Sequence, residues 1–147
     1  MEPRLDILTL GVPDLDEAHR FYVDGLGWEP ALVVDGEVVF IQVGHGRLLA
    51  LFGAGDLEQD AGGGSVGSAA SAPLSLAHNV GSDEEVSRIM DEAEAAGATI
   101  LKPAQRAFWG GFHGYFADPA GFRWEVAHNP NFRIEPDGRV RIGEDNV

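Results

Sequence analysis

An internal repeat restricts this chain to few architectures. Val12-Pro13-Asp14 in the first half is matched by Val80-Gly81-Ser82 in the second, and Gly46-Arg47-Leu48-Leu49-Ala50 by Gly121-Phe122-Arg123-Trp124-Glu125. Each copy reads as a strand, a helix and three further strands. One helix and so few strands cannot cover the apolar face of a single copy, so the two copies are expected to pack or curve together around a central cleft, with helices outside. The expected class is α+β, two βαβββ modules within one domain.

The elements follow from local signals. Leu5 to Val12 is an apolar run closed by Pro13, and Asp14 with Glu17 three residues later predicts a capped helix through Leu15, Ala18, Phe21, Tyr22 and Leu26. Strand-like segments at 28–34, 37–43 and 47–52 are separated by Asp35-Gly36 and Gly44-His45-Gly46, both hairpin signals. The first module is thus expected at 5–52. Residues 53–72, rich in Gly, Ser and Ala without apolar periodicity, predict a flexible connector. The second module is expected at 73–130, with a strand at 74–80, a capping box from Ser82 and Glu85 opening a helix that ends at Gly97, and strands at 98–102, 114–117 and 122–128. Asp118-Pro119-Ala120-Gly121 is the turn between the last two. Residues 131–147 predict a terminal hairpin turning at Asp137-Gly138 and a frayed tail.

Composition removes several function classes. The absence of cysteine rules out disulfides, a thiolate nucleophile and sulfur-ligated zinc. A net charge of −14, from 24 acidic and 10 basic residues, opposes binding to a phosphate backbone, so no nucleic-acid partner is expected. No run approaches the ~20 apolar residues of a membrane span and no signal-peptide pattern opens the chain, which predicts a cytoplasmic protein without a membrane partner.

Two motifs carry a family resemblance. Leu10-Gly11-Val12-Pro13-Asp14-Leu15 leading to Phe21-Tyr22 and Leu26-Gly27-Trp28, together with Tyr115-Phe116-Ala117-Asp118-Pro119-Ala120-Gly121-Phe122-Arg123-Trp124-Glu125-Val126, resemble the vicinal oxygen chelate superfamily of glyoxalases, bleomycin-resistance proteins and extradiol dioxygenases. The resemblance implies metal-ligand positions at Ile7, Ala50, Ser75 and Glu125. Of these only Glu125 is an ordinary ligand type, so no cofactor is expected. A divalent Fe, Mn, Ni or Zn ion would bind at Glu125 only if further ligands joined it. The resemblance also implies a homodimer, which the long 53–72 connector would permit.

Remaining polar candidates lie around Glu125. Strand alternation turns His78 and His128 toward the helix side, opposite Ser75 and Glu125, while His19 on the first helix and His45 in a turn are weak candidates. His113 stands in the aromatic and glycine-rich run Phe108-Trp109-Gly110-Gly111-Phe112-His113-Gly114-Tyr115, and Arg123 shares the strand face of Glu125. The expected ligand-binding residues are Thr9, Ser75, Trp109, Phe112, His113, Tyr115 and Arg123, with Glu125 and His113 as candidate catalytic groups. Two functions lead at this point, ahead of an accessory or regulatory domain that uses the fold for association only, against which a lined, concave cleft would argue. One is a bleomycin-resistance-like protein that holds a small molecule in an aromatic-lined cleft without a complete metal site. The other is a lyase, isomerase or dioxygenase of the lactoylglutathione lyase kind, using Glu125 as metal ligand or general base.

Overall fold

The structure, a computed structural model, describes residues 1, 5–62 and 67–142. Two four-stranded mixed sheets are built from the two halves of the repeat. The first half runs β1 (Ile7–Val12), α1 (Leu15–His19) continuing as a π-helix (Arg20–Gly25), β2 (Pro30–Val34), β3 (Val38–Gln42) and β4 (Leu48–Gly53). The second runs β5 (Ser75–Asn79), α3 (Asp83–Ala95), β6 (Thr99–Arg106), β7 (Phe112–Ala117) and β8 (Arg123–His128). Sheet order is β1-β4-β3-β2 in one and β5-β8-β7-β6 in the other, with the first and last strand of each half paired in parallel. The chain divides into two compact units, Met1–Ala72 with Pro119–Gly121, and Pro73–Asp118 with Phe122–Val147.

The repeat is visible in strand register. Ile7 pairs with Leu48 and Thr9 with Ala50, as Ser75 pairs with Arg123 and Ala77 with Glu125. Both helix caps form: the Asp14 carboxylate accepts from the Glu17 amide at 2.8 Å, and the Ser82 hydroxyl oxygen accepts from the Glu85 amide at 3.2 Å. Glu85 in turn accepts from the Gly81 amide at 2.8 Å, so one orphan donor of α3 and the amide of the residue before its cap are both satisfied.

Within the first unit, Leu10, Val12, Leu49 and Leu51 are buried together with Ala18, Phe21 and Tyr22 of the helix. Phe21 and Tyr22 are consecutive yet both buried, packed edge to face at 4.9 Å, within the wider turn of the π-helix. Periodicity alone predicted an uninterrupted α-helix here, and the π segment is the departure.

The expected connector departs further. Ala54–Asp60 forms a helix, α2, that packs on β1 and β4, and Ala69–Ser71 forms a short 3₁₀ turn. The α2 residues Ala54 and Leu57 lie so close to Gly11 that a β-carbon there would stand 3.0 Å from Leu57. Composition concealed this because α2 is held by contact with the sheet rather than by a long amphipathic stripe. Residues 63–66 of the connector lie outside the described residues, as does the expected frayed tail, 143–147. The terminal hairpin is present as β9 (Phe132–Ile134) and β10 (Val140–Ile142), turning at Gly138 with φ of 81°. No helix among the described residues is long and apolar enough to cross a membrane.

Candidate functional site

The second unit's sheet has two chemically distinct faces. One is turned to α3: Val126 is buried, Gly114 approaches Met90, and His128 Nδ1 lies 2.7 Å from the Asp83 carboxylate at the helix start. His78 belongs to this side, beside Glu85 and Arg88; its surface is exposed, and partial desolvation by the surrounding atoms lowers its imidazole from the ordinary histidine value. Phe112 also lies here by alternation, in register with His128 and under the Arg106 guanidinium at 5.5 Å. It is therefore not brought to the Glu125 face.

The other face carries the polar group. Glu125 on β8 is in register with Tyr115 on β7 and Ala77 on β5. Its Oε1 lies 2.6 Å from Nδ1 of His113, and the Tyr115 hydroxyl also donates to its carboxylate. The other ring nitrogen of His113, Nε2, lies 2.8 Å from Nζ of Lys102 on β6. A carboxylate can only accept and an ammonium can only donate, so Nδ1 bears the proton and Nε2 the lone pair. The result is one hydrogen-bonded line from Lys102 through His113 to Glu125, completed by Tyr115. Burial, followed by the hydrogen bond to Glu125 and its negative charge, raises the Tyr115 phenol above its ordinary value, which keeps it a donor. The His113 side chain is 8% exposed and that of Glu125 22%, so the line has a dry middle and an end open to a ligand.

Trp109 forms one flank. Its ring stands edge-on to His113 at 5.4 Å, and Tyr115 flanks the same imidazole at 5.6 Å. Gly111 makes this possible, because a β-carbon there would fall on the Trp109 ring and 2.5 Å from the carbonyl oxygen of His128. Phe108, at the tip of the same turn, is fully exposed.

Of the residues expected at the site, His113, Tyr115, Glu125 and Trp109 are brought together. Arg123 opens β8 on the same face but is exposed and in register with Ser75, two positions from Glu125. Ser75 is exposed and directs its hydroxyl to the Leu76 carbonyl at 3.4 Å. Thr9 is exposed on β1 in the first unit, beside Ala50. Sequence reasoning missed Lys102. The available signal was that it is the chain's one lysine, but two register shifts in the β6–β7 pairing hide its neighbours from residue counting.

The metal positions implied by the resemblance hold Ile7, Ala50, Ser75 and Glu125. The one carboxylate among them is already engaged by His113 and Tyr115, its β5 register neighbour is Ala77, and no three His, Asp or Glu side chains among the described residues are grouped to hold an ion. This donor set does not fit a divalent metal, which needs several converging N or O ligands.

Comparison with known proteins agrees with the architecture. The profile of the Glyoxalase/Bleomycin resistance protein/Dioxygenase superfamily matches residues 4–126. The chain is similar to the crystal structure of a glyoxalase-related enzyme from Fulvimarina pelagi, at 37% identity and a TM-score of 0.86, over 96% of this chain and 99% of that one. It is also similar to lactoylglutathione lyase from Agrobacterium tumefaciens, at 25% identity and a TM-score of 0.68, over 88% and 96% of the two chains. A glyoxalase/bleomycin resistance protein/dioxygenase from Nocardioides shares the fold at 24% identity and a TM-score of 0.72, over 87% and 84%. No curated protein sequence matches.

Proposed function

The chain belongs to the glyoxalase/bleomycin resistance protein/dioxygenase superfamily, and from that membership we propose that it binds a small molecule on the Glu125 face of its second unit without a complete metal site. The observation that carries this reading is the Glu125 carboxylate itself, fixed by His113 at 2.6 Å and by Tyr115 yet still partly open. An ionised carboxylate offers about four lone-pair sites, so two protein donors leave capacity for a ligand's hydroxyl or amine. Trp109 supplies flat apolar area beside it, the usual combination of a pocket with few, fixed polar groups.

The test is a panel of small aromatic amines and alcohols, measured by calorimetry in buffer with and without a chelator. Saturable binding that is indifferent to the chelator and weakened by Glu125→Gln by roughly 1.5–3 kcal/mol supports the reading. Binding that appears only with added metal refutes it.

A second reading is favoured by the His113–Glu125 contact and by the likeness to a lactoylglutathione lyase. In it, Glu125 moves a proton of the bound molecule as general base, in a lyase or isomerase reaction. Glu125→Gln would then abolish turnover while leaving affinity nearly unchanged, the reverse of the outcome expected for binding alone.

A further inference from the structure

Lys102 stands out in a chain whose nine other basic residues are all arginine. Among the described residues its ammonium has one partner, Nε2 of His113 at 2.8 Å, and no carboxylate at ion-pair distance, although the chain carries 24 acidic residues. An ammonium has three donors, so two are left to meet a ligand. Lys102 is half-buried and belongs to the same hydrogen-bonded line that ends on Glu125. The face therefore offers a positive end and a negative end, joined by an imidazole that is shielded from solvent, with Trp109 alongside.

Resting on the binding reading above, we propose that this site takes a small aromatic zwitterion, its carboxylate on Lys102, its ammonium on Glu125 and its ring against Trp109. A simple cation would satisfy Glu125 but set a like charge beside Lys102, and a simple anion would do the converse. The net charge of −14 adds to the case against an anion, since the field of the whole protein repels it until salt screens beyond about 8 Å. A zwitterion carries no net charge and answers both ends. Reach is consistent: with ordinary hydrogen-bond lengths, the two ends of the line are about 6–8 Å apart, which an amino acid spans with one hydrogen bond of about 2.8 Å at each end.

Three probes separate the groups: L-phenylalanine, phenethylamine, which lacks the carboxylate, and 3-phenylpropanoate, which lacks the amine. Affinities come from calorimetry. Because Lys102 is the single lysine, protein labelled with 15N-lysine gives one side-chain amine signal that reports on this end of the site without any substitution. Phenylalanine is expected to bind at least about tenfold tighter than either partial probe. It and 3-phenylpropanoate should move the Lys102 signal, and phenethylamine should not. Lys102→Met should reduce phenylalanine to the affinity of phenethylamine, and Glu125→Gln to that of 3-phenylpropanoate. If phenethylamine binds as tightly as phenylalanine and Lys102 is unmoved, the zwitterion is overturned while a ligand site at Glu125 stands. If none of the three binds, the zwitterion is again overturned, and the binding reading falls as well only when the wider panel of amines and alcohols also fails.

Discussion

The Glu125 carboxylate accepts the Nδ1 proton of His113 at 2.6 Å, and this fixes which imidazole nitrogen faces Lys102. Orientation of a nearly buried ring thus depends on a side chain from the neighbouring strand. Glu125→Leu should leave the Nδ1 donor and the Tyr115 hydroxyl without their acceptor, at a cost of about 1–3 kcal/mol in denaturant unfolding. Glu125→Gln, whose amide oxygen can still accept, should cost clearly less. Equal losses in the two variants would mean that the carboxylate's packing, and not its hydrogen bonds, is what matters.

Gly111→Ala tests the flank. The added β-carbon meets the Trp109 ring and the His128 carbonyl, and the backbone carbonyl cannot swing away as a flexible side chain could. Overpacking of this kind costs about 1–3 kcal/mol. Displacement of Trp109 from His113 should also shift the indole emission and weaken binding of aromatic probes. A variant with unchanged melting and unchanged emission would show that Trp109 has another seat.

His78 predicts an acid-labile contact. Desolvation lowers its imidazole, with Arg88 acting in the same direction and Glu85 against it. A histidine depressed in the folded state contributes stability that is complete above its unfolded value near pH 6.5 and is lost as pH falls through the lower folded value. Melting temperature should therefore drop between pH 7 and pH 5 by more in the native protein than in His78→Gln. Identical pH profiles would exclude His78 as the source.

Metal addition gives a fourth test. A site with useful affinity stabilises by mass action, about 2.7 kcal/mol at a hundredfold excess over Kd. Zinc, nickel, manganese or iron(II) should produce no rise in unfolding midpoint, because one engaged carboxylate beside Ala77 offers too few ligands. A saturable, stoichiometric rise that Glu125→Gln removes would restore the metal reading.

What the sequence made legible was whatever is encoded locally. Asp14, Glu17, Ser82 and Glu85 spell their caps in adjacent letters, and the period of two on β8 separates Glu125 from His128 without knowledge of any partner strand. The turn glycines are equally local. What escaped depends on contacts between distant segments. Helix α2 owes its place to the surface of β1 and β4, and Phe112 reads as one more member of an aromatic run until the pairing with His128 fixes its side. Lys102 is the clearest case. It reaches His113 across an irregular ladder, with shifts between Ile100 and Lys102 and again between Lys102 and Gln105, so no count along the chain gives its position.

Strand β4 has one further property. It lies between β1 and β3, and Leu49, Ala50 and Leu51 are each no more than 2% exposed, so consecutive side chains on opposite faces are both sealed. In β8, Ala50's counterpart is Glu125, whose side chain keeps contact with solvent. The two equivalent strands thus differ in hydration at this one position, since Val126 and Ala127 of β8 are buried as well, and the Glu125 amide should exchange with heavy water sooner than that of Ala50.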